Sequence, residues 1–258
     1  MTLLERDRLL VAVSLVVVSL LSWAWMFAGA GMGMSGLEMT RHSLMGMDMM
    51  GAPEWTVSHA LVMFAMWWIM MIAMMLPSAS PVVLLATALN RRAAPGRKPF
   101  GPAAAFTLGY LLAWALFSGL AVVAQWLMQS AELVDGMLRS RSTAINATLL
   151  LLAGSWQFTP WKHACLRHCR GPLAFLTRRS GQGKLGAVRT GIEHGLYCLG
   201  CCWFLMVLLF VGGVMNLLWI AGIAAYVWVE KLLPGGLVIS RVMGALLITW
   251  GTAILLLP

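Results

Sequence analysis

Apolar residues fall in long runs separated by short polar connections. The runs lie at about residues 9–27, 57–76 continuing past Pro77 to 89, 103–128, 143–158, 190–211, 215–229 and 237–257. Most approach the roughly 20 residues that carry a helix across about 30 Å of hydrocarbon. They do not alternate apolar and polar, as strands of a membrane barrel would. A backbone in lipid must satisfy its own hydrogen bonds, so the runs predict helices. The expected fold is all-α, a polytopic transmembrane bundle of about seven spans forming a single membrane domain over residues 1–258. The fifth and sixth runs, parted only by "GGVMN", predict a tight helical hairpin. The first run follows "ERDR" and precedes "AGA", but it exceeds a signal core of about 7–15 residues and carries Trp23 and Trp25. It is read as a retained anchor.

Composition agrees: 60% of residues are hydrophobic and only 10% charged, against about 25% charged in soluble domains. The net charge of +9 finds its explanation in topology. With the N-terminus in the cytoplasm, fifteen of the eighteen Lys and Arg residues face inward, leaving Arg41, Arg139 and Arg141 outside. The C-terminus is then external, and the location is the bacterial inner membrane, crossed several times. No nucleic-acid partner is needed to explain the basic balance. Residues 28–55 form a methionine-rich external loop with Met32, Met34, Met39, Met45, Met47, Met49 and Met50 beside His42 and Asp48. Residues 159–189 form a basic cytoplasmic loop rich in Cys and His.

The cysteines carry the chemistry. Cys165, Cys169, Cys198, Cys201 and Cys202 all fall near the cytoplasmic side, where thiols stay reduced. On a helix, His194, Cys198, Cys201 and Cys202 share one face over two turns. In "KHACLRHCRGP", Cys165, His168 and Cys169 form a second face, with His163 just before them and "GP" as a stop signal. Thiolate and imidazole donors suit Cu(I) or Zn(II). Small buried hydrophobes are the alternative role for such cysteines, and thiol redox chemistry is a third. Glu193 is placed to orient His194 from outside the ligand shell, or to pair with Arg189. Trp156, Trp161 and Trp203 lie close enough in sequence to shield the cluster.

A second clue lies in "HALVMFAMWWIMMIAMMLPSASP". His59, Met63, Met66, Met70 and Met74 recur at steps of 4, 3, 4 and 4, giving one helical stripe that starts where the methionine-rich loop ends. Thioether selects Cu(I) over hard ions and adds no charge in lipid; methionine also fills apolar helices with no further role. The two prolines of "MLPSASP" predict a kink or unwound turn. Glu230 and Lys231 read as an interfacial ion pair, and Asn146 and Asn216 as bonds between helices.

The stretches "MMIAMMLPSASP", "PWKHACLRHCRGP" and "GIEHGLYCLGCCWFLMVLLFVGGVMNLLWIA…EKLLP" resemble a family of uncharacterised bacterial integral membrane proteins described as predicted metal-binding. That resemblance implies a metal site at Cys165, Cys169, Cys198, Cys201 and Cys202. It implies no reaction. The residues favour a protein that handles copper as Cu(I), in uptake, delivery or homeostasis, with a periplasmic metal carrier or other membrane subunits as partners. Two alternatives stand beside it: a membrane-bound metal-dependent oxidoreductase, and a structural zinc clip in an assembly partner. No phosphate-cradling loop, nucleophile elbow or zinc-protease motif supports a hydrolase or an ATP-driven pump, and the non-catalytic reading is preferred.

Overall fold

The computed structural model describes residues 3–45, 54–93, 100–179 and 183–256. They form eleven helices: α1 (Leu3–Phe27), α2 (Gly36–Met45), α3 (Val57–Ala93), α4 (Phe100–Ser130), α5 (Thr143–Trp156), α6 (Pro160–Arg170), α7 (Leu173–Arg179), α8 (Gly183–Val207), α9 (Leu209–Gly212), α10 (Leu217–Leu232) and α11 (Gly236–Leu256). Among the described residues the only extended pairing is an isolated bridge between Val134 and Ser140. Five segments are long and apolar enough to cross a membrane: 6–27, 57–92, 101–130, 183–212 and 236–256. The expectation of about seven spans thus resolves into five helices of spanning length and two shorter ones. With 14 and 16 residues, α5 and α10 extend about 21 and 24 Å at about 1.5 Å per residue, less than the roughly 30 Å of hydrocarbon.

The tightest pairing joins α4 to α8, and glycine makes it possible. A Cβ on Gly191 would land on the Phe106 carbonyl, one on Gly109 on the Val188 carbonyl, and one on Gly195 against Ala113 Cβ at 2.6 Å. Small residues four apart let membrane helices approach backbone to backbone. The approach fixes Tyr110 of α4 beside Cys198 of α8. Further pairs are α5 with α11, α1 with α3, α3 with α4, and α6 with α8.

The expected hairpin of the fifth and sixth runs is not a packed pair. Gly213 takes φ +91°, and the Asn216 side chain accepts from Leu218 N and Trp219 N to start α10. From there α10 runs mainly against α3 and α11, not back along α8. Asn216 also reaches Ser43 of α2 at 3.5 Å. Asn146, by contrast, bonds locally to the Ser140 carbonyl.

Part of the methionine-rich loop is helical. Ser35 and Glu38 cap α2 reciprocally, Ser35 N donating to Glu38 Oε2 at 3.0 Å and Glu38 N to Ser35 Oγ at 3.3 Å. Thr40 Oγ1 accepts from Leu217 N at 2.9 Å, so α2 is seated on the first turn of α10. Met39 is fully buried, and Met32 and Met34 pack against the same core. Met47, Asp48, Met49 and Met50 lie outside the described residues.

No break occurs in α3 at its prolines. Pro81 has no N–H for the Pro77 carbonyl, and Ser80 Oγ donates to that carbonyl instead at 2.7 Å. Ser78 Oγ donates to Met75 O at 2.8 Å.

Glu230 and Lys231 do not pair with each other. Adjacent on α10, they point to different neighbours. Glu230 Oε1 meets Lys162 Nζ of α6 at 2.6 Å, both side chains being fully buried. Tyr226 donates to the same oxygen at 2.8 Å, and Gln157 Oε1 accepts from Lys162. Changing Glu230 to Gln would leave a buried ammonium uncompensated. The expected cost is about 3–5 kcal/mol, read as a fall in melting temperature in detergent; Glu230→Gln combined with Lys162→Met should recover most of it.

Candidate metal centre

The site forms where α3, α4, α6, α8 and α10 meet. Thr159 caps α6, its hydroxyl accepting from Lys162 N, and Pro160 occupies the first turn, where its missing N–H costs nothing. The helix then lies against α8. Its close seat depends on Gly200: a Cβ there would stand 2.8 Å from Cys165 Sγ. Trp156 Nε1 donates to the Gly200 carbonyl at 3.2 Å, closing the site from the α5 side together with Trp203, whose ring stacks edge-on at 5.9 Å. Trp161 is exposed and shields nothing.

The helices that carry the two Cys/His faces pack on each other, and Cys169 of α6 shares one buried core with Cys198, Cys201 and Cys202 of α8. Cys201 and Cys202 each direct Sγ to the Cys198 carbonyl at 3.0 Å. Cys202 Sγ also faces Met75 Sδ at 4.0 Å. Cys198, Cys201 and Cys202 are buried to within 1%, Cys169 is 9% exposed, and Cys165 is half-buried at the edge. All five are free thiols.

The imidazoles are less concentrated. His194 is buried between the rings of Phe106 and Tyr110, with centroids 5.9 and 5.8 Å away, and its Nδ1 has no hydrogen-bond partner. The Glu193 carboxylate meets Arg189 Nε at 3.6 Å. His168 stacks on Tyr197 at 4.0 Å. His163 turns away from the thiols, its Nε2 lying 3.0 Å from the Gln157 carbonyl. Among the described residues, no three His, Cys, Asp or Glu side chains converge into a cage for a metal.

The stripe on α3 is buried along its length. Met63, Met66, Met70 and Met74 are at most 1% exposed, and so are Met71 and Met75 on the adjoining face. His59 stands at the outer end, half-buried, its ring 5.0 Å from that of Trp55.

Four groups beside the thiols are absent from the sequence-based set: Met75, Tyr110, Ser78 and Lys231. Tyr110 OH lies 3.1 Å from Cys198 Sγ and donates to Met75 O at 3.3 Å. Lys231 Nζ donates to Cys198 Sγ at 2.9 Å and to Ser78 Oγ at 3.3 Å. Met75 carries a local signal, since it follows Met71 by four positions on a helix already marked by methionine. Lys231 carries none.

Fold and site together define an all-helical protein with membrane-length helices and a buried cluster of soft sulfur donors. The model of the PpoB2 family, described as a copper chaperone, matches residues 64–254. The chain belongs to that family. The matched region holds all five cysteines and most of α3. No curated protein and no solved structure matches the chain significantly.

Proposed function

We propose that the protein is a multi-pass protein of the bacterial inner membrane that holds Cu(I) at the thiol cluster and exchanges it through the methionines of α3. The carrying observation is the continuity of sulfur: a fully buried methionine series along α3 ends with Met75 Sδ 4.0 Å from Cys202 Sγ. Thiolate and thioether donors suit Cu(I), a closed-shell ion satisfied by two or three of them. Cys198, Cys202 and Met75 offer such a set, with Cys169, Cys201 and Cys165 alongside. His194, with its buried and unpartnered Nδ1, stands on the same face of α8.

In this reading the N-terminus is cytoplasmic, the C-terminus external, and α5 and α10 complete a seven-helix topology around the full-length spans. The connections support the alternation. At one end α2, the 131–142 segment and the 213–216 turn touch one another, through Leu217 N to Thr40 Oγ1 and Ser140 N to Phe210 O. At the other end Arg170 of α6 donates to the carbonyls of Glu230 and Leu233. The first end is the external one. There Met32, Met34 and Met39 receive copper from a periplasmic carrier or a partner subunit.

The zinc clip is less well supported, because a structural zinc site is a closed tetrahedron and the described residues form no such cage. For the oxidoreductase reading, the two carboxylates near the site, Glu193 and Glu230, are both engaged with cations.

The lane is tested in vesicles. Leucine at both Met70 and Met74 keeps volume and burial but removes the thioethers. Copper bound per chain at equilibrium is expected to stay near the wild-type value, while the rate of copper transfer into or out of the vesicle falls by about 10-fold, the smaller end of what support groups of a metal site cost. Unchanged transfer would remove the lane from the mechanism.

A further inference from the structure

Lys231 is a buried lysine that no carboxylate faces among the described residues. It is 8% exposed. The neighbouring carboxylate, Glu230, is committed to Lys162 at 2.6 Å, and no carboxylate among the described residues pairs with Lys231. Its acceptors are Ser78 Oγ at 3.3 Å and Cys198 Sγ at 2.9 Å. An ammonium out of water costs several kcal/mol unless an opposite charge faces it. The group in contact with it able to supply that charge is the Cys198 sulfur, with Cys201 and Cys202 directed at the carbonyl of the same residue.

Charge arithmetic then connects the lysine to the metal. When two cysteines bind one Cu(I), both thiols give up their protons and no electron moves. The product, two thiolates and one monovalent ion, carries −1. Beside the Lys231 ammonium the whole assembly is neutral, which a low-dielectric interior strongly favours. A divalent ion on the same two thiolates is neutral by itself and leaves the ammonium uncompensated. A third thiolate would restore balance, but among the described residues no three Cys, His, Asp or Glu side chains form a metal-holding group.

We propose that Lys231 is the resident counter-ion of the thiol site and biases it toward monovalent over divalent metal. The inference rests on the copper reading above and deepens it. Lys231 is a specificity-determining residue and not a ligand. Tyr110 and Ser78 hold the geometry, one touching Cys198 Sγ and the other Lys231 Nζ.

The experiment uses the purified full-length protein in detergent, under reducing and oxygen-free conditions. Cu(I) and Zn(II) affinities are measured by competition with chromogenic chelators for wild type, Lys231→Met, Lys231→Gln and Lys231→Arg. Gel filtration and thermal melting confirm that each variant is folded. Met and Gln are expected to weaken Cu(I) binding by about 10-fold or more, the order that loss of a supporting partner costs. Zn(II) binding should hold or tighten, and Arg should keep the wild-type preference. X-ray absorption should show sulfur-ligated copper in wild type. Cu(I) affinity unchanged or raised in both neutral variants overturns the proposal, the latter meaning that the ammonium competes with copper for its seat. An equal loss for both metals overturns it too, marking a purely structural lysine. If wild-type copper is indifferent to Cys198→Ser with Cys202→Ser, the copper reading itself falls, and the two failures are told apart.

Discussion

Serine at both Cys198 and Cys202 is expected to strip copper from the purified protein. Elemental mass spectrometry should find copper per chain near background, with affinity at least about 100-fold below wild type, beyond the 10–100-fold typical of outer supporting groups. The reason is donor chemistry. A hydroxyl is hard and stays protonated, so it offers Cu(I) neither softness nor negative charge. Cys198 is the thiol that Tyr110 and Lys231 touch, and Cys202 is the thiol that faces the end of the methionine series. Serine is nearly isosteric with cysteine, so the fold should survive. A double variant that retains wild-type copper would relocate the site. Zinc recovered at one ion per chain would revive the structural clip.

The second large effect concerns the frame around the site. Gly191→Leu should abolish folded protein. The position is buried where α8 lies on α4, and even a Cβ there would collide with the Phe106 carbonyl. Overpacking by a few methylenes costs about 1–3 kcal/mol when side chains can yield. Here the obstacle is backbone, so the cost belongs at the upper end of point-mutant effects, about 4–5 kcal/mol or more. Gly119→Leu on α4 is the control: a Cβ at Gly119 meets nothing within 4 Å. Monodisperse elution and thermal melting in detergent should separate the two. A well-folded Gly191→Leu protein would mean that the helices do not approach this closely.

The apolar runs made the helices legible, because burial in lipid or core demands continuous apolar sequence. The runs at 143–158 and 215–229 were already shorter than the roughly 20 residues of a full span, in keeping with the short α5 and α10. The α2 segment was readable in principle from Ser35 and Glu38, but its methionines and glycines resemble loop composition and hid it. That the helices carrying Cys169 and Cys198 pack on each other was suggested by the single segment joining them. Which methionines of α3 matter could not be separated by periodicity, because Met71 and Met75 on the adjoining face are as deeply buried as the stripe itself. The fates of Glu230 and Lys231 were illegible. Adjacent opposite charges suggest a local pair, yet the partners are Lys162, 68 positions earlier, and Cys198, 33 positions earlier. Such contacts are set by helix packing, and no local pattern encodes them.

The late position of α10 in the chain has a consequence for assembly. The thiols and Lys162 are synthesised before the helix that carries Glu230 and Lys231. Until residues 230 and 231 arrive, one cationic side chain stands without its carboxylate and the thiols stand without their ammonium. Completion of this penultimate helix therefore neutralises two separate polar centres in one docking event. A chain truncated before it would carry every cysteine and lack both Glu230 and Lys231.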